Sequence, residues 1–344
     1  MTDTAPSARP RPPTSPRLQA EQALIRASRT YAEESVATSW WHVLSTLGAL
    51  AVAITLAGAA PWWPLRAAGV VLEALVLVRT FILFHDYMHG SLLRSSRPAK
   101  WLFHTLGVLM LTPPRVWANT HNYHHANTGR LAARPDGTFA LWTVAQWRKA
   151  SRKERVAYVI ERHPLTMATG LLTVFLGSLC LLPFIKDPKK NASAGLAFLV
   201  HFGLHAALLA FFGVGAWLTT LLLPMVIAYA FGTYLFFVQH NFEEALVREE
   251  ADWSHAAAAL EASSFLSLSP VMHWFTGNIG YHHVHHLNPR IPFYRLPEAM
   301  ASIPELREAR TATLKPRDVW RTLTRLDLWD PESRRFVSFS AAGV

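Results

Sequence analysis

The feature that most constrains this 344-residue chain is a set of apolar stretches long enough to cross a lipid bilayer: residues 39–60, 65–84, 194–212 and 216–239. A spanning helix needs about 20 predominantly apolar residues, and apart from a closed barrel no other backbone form satisfies its own hydrogen bonds in hydrocarbon. The first two stretches are joined by Pro61-Trp62-Trp63-Pro64 and the last two by Gly213-Val214-Gly215, which predicts two transmembrane hairpins. Glu73 and Arg79 fall inside the second stretch, where a charge is tolerated only if it faces protein, water or the interface. Composition agrees: 51% of residues are hydrophobic and 16% charged, against about 25% charged in soluble chains.

Three clusters of histidine interrupt this apolar background: His85-Asp86-Tyr87-Met88-His89, His121-Asn122-Tyr123-His124-His125 and His282-His283-Val284-His285-His286. Residues three and four apart on a helix share a face, so each cluster can aim two or three imidazoles at one point. His240 follows the last apolar stretch as His85 follows the second, and would add to the eight spaced histidines at the same membrane level. One tetrahedral zinc takes four protein ligands or fewer, so a set this large suits two metals of higher coordination number. All-imidazole ligation suits Fe, Zn, Cu or Ni, and ligand type alone does not choose among them. A metal pair at the lipid interface, in a chain without a haem or flavin motif, fits activation of O₂ for attack on a lipid C–H bond, for which iron is the usual metal. A reading from another class is a metal transporter. It would place ligands at the midplane of broken helices, and only His201 and His205 fit it.

The remaining candidates have plainer readings beside the sharp ones. His201 and His205 read most simply as buried, hydrogen-bonded histidines. His283 breaks the shared face and is expected behind the ligands or exposed. His42, His104, His163, His255 and His273 read as interfacial or surface residues. Asp86 either orients a histidine ring or is a plain surface aspartate. Asn278 either holds a metal-bound water or forms a turn after Gly277.

If the three clusters build one site they lie on one side of the membrane, so an even number of crossings separates the second from the third. Lys186, Lys189 and Lys190 favour the cytoplasm, so residues 165–185 are expected to be embedded without crossing. The run 101–112, closed by Pro113-Pro114, is too short to span and reads as interfacial or re-entrant. Residues 139–163 mix Trp142 and Trp147 with Arg148, Lys149, Arg152, Lys153, Arg155 and Arg162, which suits a helix on the anionic leaflet. A plain solvated face, or a dock for an acidic electron carrier, are its other readings. The net charge of +10 brings nucleic acid to mind, but the motifs that read bases are missing, and cytoplasmic Lys and Arg explain the charge. The single Cys180 excludes an internal disulfide and any Cys-based redox motif. The expected fold class is an all-α integral membrane domain with four transmembrane helices, interfacial helices and a cytoplasmic His-rich cap. Residues 1–38 read as a disordered basic tail without the apolar core of a signal peptide. Residues 39–300 read as the membrane domain and 301–344 as a C-terminal cytoplasmic segment.

Four segments carry a resemblance: FHDYMHGSL (84–92), NTHNYHHANTG (119–129), FFVQHNFEE (236–244) and TGNIGYHHVHHLNPRIPFYRL (276–296). Over roughly residues 39–300 the chain resembles membrane-bound fatty acid desaturases of the acyl-lipid type. The resemblance implies a mushroom-shaped helical membrane domain with two iron ions on its cytoplasmic side. Their ligands would be His85, His89, His121, His124, His125, His240, His282, His285 and His286, with no catalytic side chain beyond them. It implies a reaction that uses O₂ and two electrons to place a cis double bond in the acyl chain of a lipid. The third cluster begins with His282 rather than the Gln of front-end desaturases. His163-Pro164 is followed by Leu165-Thr166 rather than the Gly-Gly of a fused cytochrome b5, so a separate donor is expected, either ferredoxin or cytochrome b5-like. The expected location is the bacterial cytoplasmic membrane, with the active site facing the cytoplasm and no nucleic-acid partner. Carotenoid or lipid hydroxylases and ketolases share such clusters, but the third segment resembles acyl desaturases.

Overall fold

In the computed structural model, which describes residues 15–131, 133 and 139–343, the chain is mostly helical. Helix α1 (Pro16–Ser28) starts where the Ser15 hydroxyl accepts the Leu18 N–H and Pro16 takes the first helical position. The expected disordered tail over 1–38 is therefore corrected for its described part; residues 1–14 lie outside it. From Arg17 onward the composition turns to Leu, Ala, Gln and Glu, and tertiary contacts hold the helix. Leu24 is buried, Glu21 accepts from Arg17 and Ser254, and Ser28 accepts from Asn288.

Helices α2 (Val36–Ala59) and α3 (Trp63–His89) pack as a hairpin, and each is long and apolar enough to cross a membrane. Their close approach depends on Gly69, where a Cβ would lie 2.5 Å from the Ala57 backbone nitrogen. The second apolar stretch was expected to end before His85. Instead α3 continues through the first histidine cluster and stops at Gly90, in the left-handed conformation with φ 70°. The apolar run marks only the part of the helix that is apolar in composition; the polar last turns stay helical, with His85 and Asp86 buried in protein. Arg79 is buried within α3 and fully engaged. Its Nε donates to Thr46 Oγ1 at 2.9 Å, its other nitrogens reach His42 Nδ1 and the Trp274 carbonyl, and its guanidinium lies 4.2 Å from the Trp274 ring centre. Glu73 is buried in the same helix, with Oε2 unpartnered among the described residues.

Helix α4 (Arg97–Leu109) leads into Thr112 and Pro113, and α5 (Pro114–Asn127) returns carrying the second cluster. The third stretch long and apolar enough to cross is Ala192–Val238. It is not a straight rod. Gly213 leaves the helical region with φ 78° and ψ 174°, and the Trp217 indole donates to His205 Nδ1 at 2.8 Å. In a straight helix twelve residues would hold those side chains about 18 Å apart, so the chain reverses at Gly213. Between α5 and this hairpin runs a shorter apolar helix, Leu171–Lys186. It follows Gly170, which sits against Thr233, and Phe175 lies edge-on to Tyr229 at 4.2 Å.

The basic segment expected on the leaflet forms two short helices, Val144–Lys149 and Arg152–Arg162. Its aromatic residues face protein rather than lipid: Trp142 stacks on Tyr158 at 4.5 Å and Trp147 packs on Phe339 at 4.5 Å. The C-terminal third adds two small sheets, β1 (Phe265–Ser267) parallel to β2 (Thr311–Thr313), and β3 (Leu328–Asp330) antiparallel to β4 (Arg335–Val337). One apolar core joins Phe84 and Phe103 to Val284, Ile291 and Phe293, and so fixes the first histidine cluster against the third.

Candidate metal centre

Each histidine cluster has a local reason to present its rings. In α3, His85 and His89 are one turn apart; in α5, so are His121 and His125; in the helix His282–Leu287, so are His282 and His286. His124 and His285 lie off those pairs by one position and reach across to the opposite side. The nitrogens therefore gather into two groups: His85, His89, His121, His125 and His285 in one, His124, His240, His282 and His286 in the other, each group's ligand atoms within 4.8 Å of one another. The groups adjoin, with the His125 ring stacked on His286 at 4.2 Å. The structure thus brings together all nine residues singled out in the sequence, His240 included.

The contacts within the groups run between Nε2 atoms. His121 stands 3.0 Å from His85 and 3.0 Å from His125, and His125 stands 3.1 Å from His285. In the second group His282 lies 2.9 Å from His240 and 3.0 Å from His286. A metal bound about 2.1 Å from each of two nitrogens at a right angle would set those nitrogens about 3.0 Å apart. The Nε2 atoms of His89 and His124 are buried without any hydrogen-bond partner, a state that calls for a ligand. Donor set and spacing both fit metal ions. Burial, reinforced by neighbouring imidazoles, holds His121, His124, His125, His282, His285 and His286 well below the usual histidine value. Burial likewise lowers His240 to about 4. The rings are therefore neutral near pH 7, each with a nitrogen lone pair to offer.

Two rings have their tautomer fixed from behind. His85 Nδ1 donates to Asp86 Oδ1 at 3.0 Å, while Asp86 Oδ2 accepts the Phe293 N–H at 2.7 Å. His240 Nδ1 donates to the Ala262 carbonyl at 2.9 Å. Asp86 is buried, which removes its surface reading. His283 is fully buried rather than exposed, and its Nε2 meets the Leu306 carbonyl at 3.0 Å, away from both groups. His201 is buried and meets the Leu109 carbonyl, while His205 is half-buried and accepts from Trp217, so both are hydrogen-bonded histidines but only the first is a buried one. Asn278 adopts a left-handed turn with φ 54° and donates to the Phe293 carbonyl, so the turn reading describes it.

A sequence profile of the fatty acid desaturase family matches residues 60–317. The chain belongs to the fatty acid desaturase family. It is 37% identical over 277 residues to a fatty acid desaturase of Bacillus subtilis, covering 79% of this chain and 76% of that one. It is 25% identical over 275 residues to the sn-1 oleoyl-lipid 12-desaturase of Synechocystis sp., covering 79% and 78%. It is also 22% identical over 291 residues to the sn-1 acyl-lipid omega-3 desaturase (ferredoxin) of the same organism, covering 79% and 76%.

Two features of the site were not legible in the sequence. Trp117 stacks on His121 at 4.3 Å and stands edge-on to His85 at 5.4 Å, walling off the first group. Its place four residues before His121 on α5 was the available signal. Arg162 is buried and donates to Asn241 Oδ1 and the Leu326 carbonyl, tying the residue after His240 to the C-terminal segment. No local pattern announces a pairing across so much chain. A cavity of about 80 Å³ adjoins His124 and His240, lined also by Tyr123, Asn127, Arg130 and Asn241.

Proposed function

We propose that this desaturase holds two iron ions, one in each histidine group, and inserts a cis double bond into the acyl chain of a membrane lipid. The observation that carries the reading is the pair of adjoining all-imidazole groups, buried, neutral and spaced for metals. The proposed ligands are His85, His89, His121, His125 and His285 for one ion and His124, His240, His282 and His286 for the other. When bound, the iron pair would supply reduction of O₂ and the oxidising power to break two adjacent C–H bonds. The balance is one –CH2–CH2– unit, one O₂, two electrons and two protons going to –CH=CH– and two waters. The protein's own residues bind, orient and exclude water. Asp86 and the Ala262 carbonyl hold His85 and His240 with Nε2 turned inward, and Trp117 and Phe236 close the site with aromatic surface.

The relatives' names point to lipid-linked acyl chains, and one names ferredoxin, which supports an acyl-lipid substrate and a separate small electron donor. The proposed topology has four crossings, the two arms that meet at Gly213 each counting as one, with 165–185 embedded and the histidine end in the cytoplasm. The proposed location is the bacterial cytoplasmic membrane. Residues 39–300 carry every proposed ligand, and 301–344 pack against segments beside them, through the Leu306 carbonyl on His283 and the pairing of β2 with β1. The test is expression in a host that makes only saturated chains, with methyl esters of total lipid analysed by mass spectrometry and purified protein assayed for iron. New cis-monounsaturated acids and two irons per chain are expected. Hydroxylated chains in their place would reassign the outcome, and a protein without iron would remove the proposed centre.

A further inference from the structure

We propose that the outer face of the helix Pro316–Arg325 docks on the anionic headgroups of the membrane that the same chain spans. Arg317, Trp320, Arg321 and Arg325 recur at three- and four-residue intervals and so share one face. All four are exposed, Trp320 at 68%, and Lys315 just before them is exposed too. Val319, Thr322 and Leu323 lie on the opposite, protein-covered side, so the exposed face is not the one that holds the helix in the fold.

Position decides what that face meets. Leu314, just before the helix, packs in the same core as Tyr234 and Leu235. Arg321 pairs with Glu243. Tyr234 lies near the end of the apolar stretch that closes at Val238, and Glu243 lies just past it. The helix thus sits at the level where the last apolar arm leaves hydrocarbon. There an exposed tryptophan prefers the headgroup layer, and guanidinium groups pair with phosphate in two-pronged fashion. Asp318 is occupied by the Thr313 hydroxyl, and Glu243 is the one acid that pairs with the face among the described residues. Three arginines and a lysine outweigh it. Each basic residue near an anionic leaflet adds about a five-fold preference for it over a neutral one. The same charge would attract an acidic redox protein, but the adjoining bilayer surface lies within reach without any encounter.

The test uses the full-length protein in nanodiscs of phosphatidylcholine alone or mixed with phosphatidylglycerol. A nitroxide is attached to the Trp320→Cys variant, and separately to Thr324→Cys on the same side. Cys180 is buried, and the unsubstituted chain controls for labelling there. Accessibility to O₂ and to a water-soluble nickel chelate is compared. The label should be shielded from the chelate in discs containing phosphatidylglycerol. Chelate access should rise several-fold in neutral discs, at high salt, and when Arg317→Gln, Arg321→Gln and Arg325→Gln are combined. Because the salt and lipid arms need no arginine variant, misfolding of the triple variant does not blunt the test. Full aqueous access in both kinds of disc would overturn the proposal. So would shielding that arises only on adding an acidic ferredoxin, which would assign the face to a protein partner.

Discussion

Asp86 joins two parts of the site, since one carboxylate oxygen holds the proposed ligand His85 and the other holds the backbone beyond the third cluster. Replacing Asp86 by Asn should keep the fold but weaken metal binding by about 10- to 100-fold, the usual cost of losing a group that orients a ligand; competition with a graded series of chelators reads this directly. His285 and His283 make a sharper pair. Removing the His285 ring should empty or misplace one metal, and iron content and desaturation should fall together. Removing the His283 ring leaves the Leu306 carbonyl without its partner. That should cost about 1–3 kcal/mol of stability while iron content stays near normal; equal iron loss in both would mean the ligand set is drawn wrongly. The histidine spacing alone separated these two neighbours, because one lies on the shared helical face and the other does not. The same spacing was silent on burial, which is why His283 could be read as exposed until its surroundings were known.

At the scale of elements, the hairpin of α2 and α3 and the reversal at Gly213 were legible in hydropathy and in Trp, Pro and Gly punctuation. The end of α3 was not, because hydropathy records apolar composition and a helix can continue into polar residues that protein buries. The helix Pro16–Ser28 was hidden for a related reason: its stability comes from residues such as Ser254 and Asn288, hundreds of positions away. Gly69 shows how tightly the hairpin depends on one missing side chain. Gly69→Val should push the helices apart and cost about 1–3 kcal/mol or more from overpacking, seen as a lower melting temperature in detergent. An unchanged melting temperature would mean that the two backbones can separate there at little cost.

For the whole molecule, the arrangement of crossings makes a paired prediction. Val214 is exposed at the reversal of the last hairpin, and Lys189 is exposed in the loop after the shorter apolar helix. In intact cells a membrane-impermeant thiol reagent should label Val214→Cys, whereas Lys189→Cys should react only after the membrane is opened. Outside labelling of Lys189→Cys would add a crossing and put the second and third histidine clusters on opposite sides, which their contacts forbid. Those contacts also bear on how the protein is born. Neither histidine group is drawn from one stretch of chain: the first takes its members from α3, α5 and the helix at 282–287, and the second is incomplete without that same helix. A ribosome has therefore laid down every apolar helix before either group is complete. On the proposed ligand set, full metal capture would belong to the finished chain: four imidazoles of the first group are made by the end of α5, but the members that complete both groups wait for the chain's last fifth.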